Sequence, residues 1–382
     1  MTTQDLIIEQ TGAMGLITLN RPGALNALSL DMVRGITQAL LQWREDANVA
    51  AVAIRGSNKQ GPFGHFCAGG DIRFFHEAAL AGDPRLEDFF TEEYALNQLI
   101  FSYPKPYIAF MDGVVMGGGM GISQGGSLRI VTPTTKMAMP ETNIGLFPDV
   151  GGGHFLGRCP GSVGEWLGLG GQVIGAGDAV AFGLADVAVA QESVAPIWDA
   201  LPDWVSEGSA ALEQRVRALG IQTPTPHADH VDTINAIYSA DTLADIAQRL
   251  QADTSEWAQT AWNVFQQRSP LMMHVVLEQV RRARGMSLED ELRMERDMVR
   301  HCFHLRPGAA SETVEGIRAL VIDKDNAPKW NPAAIEEKMR SDIPLPMPRS
   351  VRSSPNHMMR PVPAVIVMTM RRIEYHASLV MS

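Results

Sequence analysis

Over roughly the first 190 residues, short apolar runs alternate with segments of helical spacing. LIIEQ and GLITLN read as two short paired strands. After Asn26, the stretch SLDMVRGITQALLQW puts Met32, Ile36, Ala39, Leu40 and Trp43 on one face, with Ser29 or Asp31 near its start, which predicts an amphipathic helix. AVAIRG (51–56) is a strand, HFCAGGDI (65–72) a turn leading into a helix, and 85–103 a long amphipathic helix ended by Pro104. YIAFMDG is a strand, GVVMGGGMGISQGG turns into a helix, and LRIVTPTTKMAMP gives two short strands around a Thr-rich turn. Such alternation is the pattern of an α/β fold with crossover connections. From about residue 195 the spacing is mostly helical, and Ser287 with Asp290 opens one late helix in capping-box style. ETVEGIRALVIDKD is expected to run from helix into a short extended segment. The divisions that follow are an α/β core over 1–195, a helical C-terminal portion over 196–345 that completes it, and a poorly ordered tail over 346–382, without internal repeats.

Composition narrows the class. The 382 residues carry a formal net charge of −11, which gives no electrostatic support for a general nucleic-acid or membrane-surface partner. The three cysteines, Cys67, Cys159 and Cys302, are odd in number and lack CxxC spacing, so a reducing compartment without disulfides or a zinc site is expected. The N-terminal sequence shows no basic, apolar leader and no apolar run reaches the ~20 residues of a membrane span. The expectation is a cytoplasmic protein with no metal and no bound cofactor. Cys302 with His301 and His304 is a weak metal-like cluster, Cys67 a small buried residue, and His154 a packing residue.

Two glycine turns and three acids carry the candidate chemistry. In CAGGDI and MGGGMG, consecutive glycines stand between a strand-like segment and a helix, where backbone N–H groups lack partners. Two such turns facing each other would present two donors to a developing oxyanion; for either motif alone, a tight turn is the preferred reading. Neither motif is GxGxxG followed by an acid about 20 residues on, so a Rossmann site is excluded. Glu141 and Asp149 lie eight apart in MPETNIGLFPDVGGG, with no Lys or Arg between them. Asp149 is either a helix N-cap or a functional acid, and Glu141 either a strand-end surface residue or a functional acid. Glu93 falls on the apolar stripe of the 85–103 helix, with Phe89, Phe90, Leu96 and Ile100, and needs a hydrogen-bond partner or a ligand. Glu92 faces another way and is expected to be solvated.

The ordered set NRPGALNALS (20–29), HFCAGGDI (65–72), GVVMGGGMGIS (113–123) and PETNIGLFPDVGGG (140–153) resembles the crotonase (enoyl-CoA hydratase/isomerase) superfamily over residues 5–340. PDVGGG, FFTEEYALN and EGIRALVIDKDNAPKWNP resemble its 3-hydroxyisobutyryl-CoA hydrolase branch. The resemblance implies a crotonase-like α/β fold with a ββα superhelix core. It implies Gly70 and Gly118 as oxyanion donors and Glu141 and Asp149 as catalytic acids. Glu93, Ala68 and Ile72 would lie at the substrate site. The first glutamate of a hydratase would fall at Gly121 and is missing. The implied reaction is hydrolysis of a short 3-hydroxyacyl-CoA, in which CoA is part of the substrate and not a cofactor. Arg21 and Arg73 are candidates for the CoA phosphates, with surface solvation the preferred role for Arg21. An enoyl-CoA isomerase or hydratase, or a non-catalytic acyl-CoA-binding protein, are the alternatives. The assembly is expected to be a monomer or a homo-oligomer, trimer or hexamer.

Overall fold

The longest apolar runs become the middle of a six-stranded sheet. The computed structural model describes residues 5–334, so the expected tail lies outside the described residues. Strand β1 (Leu6–Thr11) pairs antiparallel with β2 (Met14–Leu19). Then β3 (Ala51–Gly56) and β4 (Tyr107–Met111) add in parallel. A short strand β5 (Val114–Met116) leaves this sheet, and β6 (Leu128–Val131) returns to it. Strand β7 (Lys136–Ala138) pairs with β5 in a second, two-stranded parallel sheet, and β8 (Val187–Ala188) closes the first, whose order is β1-β2-β3-β4-β6-β8.

Between the strands run α1 (Leu30–Glu45), α2 (Ile72–Ala81), α3 (Arg85–Phe101), α4 (Gly118–Gln124), α5 (Gly152–Leu156), α6 (Val163–Gly170) and α7 (Ala176–Ala181). Helices α8 (Val194–Ser206), α9 (Ser209–Ala218), α10 (Val231–Tyr238), α11 (Leu243–Ala252) and α12 (Glu256–Phe265) follow, then α13 (Pro270–Ala283), α14 (Leu288–His304) and α15 (Glu312–Ile317). Helix α1 starts where its pattern predicts: Ser29 Oγ accepts from the Met32 amide at 3.3 Å, and Met32, Ile36, Leu40 and Trp43 are buried. Both faces of the large sheet are covered. Ala53, Ile108, Phe110 and Ile130 pack with Ile197, Trp198 and Leu201 of α8, whereas Val52, Ile54, Ala109 and Val131 join the larger core on the other side. Two-sided burial is why these strands read as unbroken apolar runs.

The chain climbs as a spiral. After β3 it enters the second sheet at Cys67, which bridges Val115; after β4 it enters at β5, and after β6 at β7. Each time a helical segment follows: α2, α4, and a 3-10 turn over Glu141–Ile144. Three successive turns of the spiral therefore end the second-sheet strand at neighbouring places, at Gly69–Gly70, Gly117–Gly118 and Pro140–Glu141.

One expectation at the C-terminal end is corrected. The segment after α15 is not extended; Arg318–Ile322 forms a π-helical turn. Arg318 pairs with Glu315, Asp323 and Asp325 at 2.7–2.8 Å, which draws the chain back on itself.

Candidate active site

The two glycine turns face each other. The first is gripped by the NRPGALNALS segment: Leu28 N–H donates to Gly69 O at 2.8 Å, and Asp71 N–H to Leu28 O at 3.0 Å. Buried Asn26 donates from Nδ2 to the carbonyls of Ser57 (3.0 Å) and His65 (2.6 Å), fixing the chain that leads into the turn. Met116 N–H bonds to Cys67 O at 2.9 Å and ties the second turn to the first. Gly117 has φ +49°, and a β-carbon there would stand 2.8 Å from Glu141 Oε1. One on Gly118 would stand 2.5 Å from Glu93 Oε1 and 3.3 Å from the Gly70 nitrogen. The missing side chains are thus what lets two amides and two carboxylates converge. Among the described residues neither the Gly70 nor the Gly118 N–H donates to a carbonyl. The structure brings together Gly70, Gly118, Glu93 and Glu141.

Glu93, Glu141 and Asp149 are 2%, 6% and 6% exposed, so none is a surface charge. Glu93 Oε1 and Glu141 Oε2 are buried without a hydrogen-bond partner among the described residues. The Glu93 carboxyl is held well above the ordinary carboxylate range, first by burial, then by the charges of Asp149 and Glu141. Glu141 is raised well above it by burial and by Asp149. Burial pushes Asp149 up to about 7, although the Tyr94 hydroxyl, donating to Oδ2 at 2.8 Å, works in the opposite direction. Asp149 is not a helix cap: the N-cap of α5 is Gly151, and no side chain caps it. Glu92 corrects the expectation of a solvated acid. It is 8% exposed and receives both Nε and Nη2 of Arg34, at 2.8 and 2.7 Å.

Val150, next to Asp149, has φ +57°, a conformation unfavourable for a β-branched residue and one that surrounding contacts must enforce. Its Cβ would lie 2.6 Å from a β-carbon on Gly121, and Asn97 Nδ2 would lie 2.9 Å from it. There is no room at position 121 for a glutamate.

The remaining candidates separate. Ala68 and Ile72 flank the first glycine turn and are partly open to solvent. Arg21 is not simply solvated, since Nη2 pairs with Asp71 at 2.7 Å and so braces the same turn. Arg73 is exposed, 3.5 Å from the Val321 carbonyl. Cys67 is fully buried and its thiol is pushed up to about 12 by burial, so it is no nucleophile. His154 packs edge-on against Phe101, and burial pushes its imidazole down to about 4. Among the described residues no group of three His, Cys, Asp or Glu side chains could hold a metal, the Cys302 neighbourhood included. A cavity of about 500 Å³ lies elsewhere, lined by Trp166, His227, His230 and Trp257, and none of the three acids borders it. We place the site at the glycine turns because the unpaired donors and raised acids are there.

Comparison with known proteins decides the family. The enoyl-CoA hydratase/isomerase model matches residues 14–344. The chain belongs to this family. It is 37% identical over 339 residues to the chicken protein named 3-hydroxyisobutyryl-CoA hydrolase, mitochondrial, covering 87% of this chain and 86% of the relative. The human protein of that name is 36% identical over 346 residues, covering 89% and 87%. Among solved structures, a carnitinyl-CoA dehydratase from Mycobacterium thermoresistibile superposes with TM-score 0.82 at 36% identity, covering 91% of this chain and 98% of that one. An enoyl-CoA hydratase from Rhodobacter sphaeroides gives 0.76 at 37%, covering 87% and 94%. The fold is thus the crotonase fold with a helical C-terminal region. No helix among the described residues is long and apolar enough to cross a membrane.

Sequence reasoning missed Tyr94, Asn97, Gln279, Glu291 and Glu295. Tyr94 and Asn97 flank Glu93 on α3, and Asn97, one turn along from Glu93, was open to the same stripe argument. Gln279, Glu291 and Glu295 are fully buried behind Asp149 on α13 and α14, a placement no local pattern signals.

Proposed function

We propose that this protein hydrolyses a short 3-hydroxyacyl-CoA thioester, with 3-hydroxyisobutyryl-CoA as substrate and 3-hydroxyisobutyrate and CoA as products, a step of valine breakdown. The names of its relatives support the substrate. The observation that carries the chemistry is the pairing of two unpartnered amides, Gly70 and Gly118, with Glu141 beside Gly117. The thiolate leaves readily, its conjugate thiol having a pKa near 8.5, so the costly event is charge on the carbonyl oxygen. Two aligned N–H donors meet that charge, and losing one such donor costs roughly 3–4 kcal/mol. In its ionised form Glu141 attacks the carbonyl carbon, the C–S bond breaks, and the thiolate takes a proton from a neighbouring carboxylic acid. Water then opens the mixed anhydride, releasing the hydroxy acid and restoring the Glu141 carboxylate. Asp149 orients that water or the substrate hydroxyl, Glu93 lines the acyl site, and Ala68 and Ile72 contact the CoA arm. No other cofactor enters.

A single turnover in heavy-oxygen water tests the covalent step. Label entering the Glu141 carboxylate is expected, from water attacking the anhydride at the glutamyl carbon. Label only in the product places the attack at the acyl carbon, and hydroxylamine trapping of an acyl-enzyme then separates anhydride opening from general-base catalysis of direct water attack.

The two solved relatives are a dehydratase and a hydratase, which favours a hydratase as the second reading. Two-acid hydration would need a carboxylate where Gly121 has none and no space for one. Free thiol appearing without loss or gain of a double bond, across a panel of short acyl-CoAs, is the expected outcome. Three unpaired, buried thiols suit a reducing compartment. We keep the cytoplasm as the location; fractionation distinguishes it from the mitochondrion named for the vertebrate relatives.

A further inference from the structure

The helical C-terminal region reaches the Asp149 turn through side chains to which the hydrolytic scheme gives no part. Gln279 on α13 and Glu295 on α14 are both 0% exposed. Gln279 Nε2 donates to the Pro148 carbonyl at 2.8 Å and to Glu295 Oε1 at 3.1 Å. Glu295 Oε2 accepts from the Gly151 amide at 2.8 Å. The backbone is therefore gripped one residue before Asp149 and two residues after it, by a pair that is itself hydrogen-bonded. The strained residue lies inside the grip: Val150 at φ +57°, followed by Gly151 at +85°. Tyr94, from α3 on the opposite side, holds the Asp149 carboxylate itself.

Simple space-filling does not account for this pair. Apolar side chains would fill the same volume without the cost of burying an amide and an acid. A buried Glu295 is unfavourable enough, but Glu291 lies alongside it, also fully buried, with Gln279 Nε2 3.2 Å from its Oε1. A polar pair buried at such a cost, and bonded to the backbone on either side of the Asp149–Val150 segment with its left-handed valine, specifies a backbone conformation.

We propose that Gln279 and Glu295 are positioning residues for the hydrolysis, holding the 148–151 turn in its strained form so that the Asp149 carboxylate stands beside Glu141. The proposal rests on the hydrolase reading for its kinetic part. It predicts that loss of the grip lowers turnover and leaves binding of the CoA arm, assigned above to Ala68 and Ile72, nearly unchanged.

The test uses the full chain with Glu295→Met, Glu295→Gln and Gln279→Met. Thiol release is measured on the best short acyl-CoA, and hydrogen exchange over residues 148–152. For Glu295→Met we expect kcat to fall at least about tenfold with KM within about threefold. Exchange at the Gly151 amide should accelerate by about tenfold or more while α13 and α14 stay protected. Glu295→Gln keeps an acceptor for Gly151 while giving up the one for Gln279, so its kcat should fall clearly less than that of Glu295→Met. Gln279→Met should show the same kind of loss in smaller measure, and it carries the test if Glu295→Met does not fold. Unchanged kcat with a loosened turn overturns the proposal. So does a fall in kcat with the turn still protected, or an equal loss in Glu295→Met and Glu295→Gln. If the parent protein cleaves no acyl-CoA, the hydrolase reading fails, and the exchange data alone decide whether the grip exists.

Discussion

At Gly118 one β-carbon is enough to touch both halves of the site, the Glu93 carboxylate at 2.5 Å and the Gly70 nitrogen at 3.3 Å. Gly118→Ala keeps the amide but must displace the buried Glu93 carboxylate, so kcat is expected to fall by roughly 10²-fold, as misplacing site groups by about 1 Å can do, with some loss of melting temperature. At Gly121 the cost is to stability alone. Alanine there overlaps Val150 and Asn97, so a loss of about 1–3 kcal/mol in denaturant unfolding is expected. The acids can be separated by pH. The charge of Asp149 raises Glu141, so Asp149→Asn should lower the Glu141 pKa and move the acidic limb of kcat/KM to lower pH. Glu93, Glu141 and Asp149 were legible in the sequence because acids among apolar neighbours are conspicuous. Their partners were not: Tyr94 reaches Asp149 across 55 residues and Glu295 reaches Gly151 across 144, and no spacing rule spans such distances.

Elements were more legible than contacts. Ser29 and Ser287 cap α1 and α14 where their patterns place them, because capping is a local exchange between a hydroxyl and the amide three residues on. Ser287→Ala should cost about 1 kcal/mol in global unfolding, seen as a lower denaturation midpoint. Since α14 carries Glu295, the same variant should also fray the helix start beneath the Asp149 turn. The face of α3 shows the limit of periodicity. Glu93 fell on the buried stripe as expected, but Glu92 is buried too, because Arg34 of α1 covers it from 58 residues upstream. The π-turn at Arg318–Ile322 stands in a stretch whose sequence predicts only a passage from helix into a short extended segment, because what bends it is the ion pairing of Arg318 with three acids, and composition alone does not order those pairs.

At the scale of the molecule, five buried carboxyls, Glu93, Glu141, Asp149, Glu291 and Glu295, all have raised pKa values, with burial the largest cause for each. Folding therefore takes up protons. The stability these groups contribute is complete below their unfolded values near pH 4 and is lost as pH rises through the folded ones, about 7 for Asp149. Melting temperature is expected to fall from pH 5 to pH 8, and Asp149→Asn should flatten that slope; a slope of the opposite sign would contradict the burial pattern. The α/β class, the helical C-terminal region and the crotonase resemblance were all legible. The recurrence within the spiral was not, since CAGG, MGGG and MPET share a location in space but no sequence that a repeat search would align.

That recurrence affects how the protein will respond to systematic mutagenesis. Of the three strand ends that meet at the site, two offer peptide groups from residues lacking side chains and one offers Glu141. Replacement by alanine removes a carboxylate at Glu141, whereas at Gly70 and Gly118 it adds an obstruction. An alanine scan of this chain mixes subtraction with addition, and both proposed oxyanion donors will register as crowding. Chemical labelling of side chains will not register it at all. Backbone-directed changes, such as an ester in place of the Gly118 peptide, are the substitutions that remove a donor while leaving the shape of the turn intact.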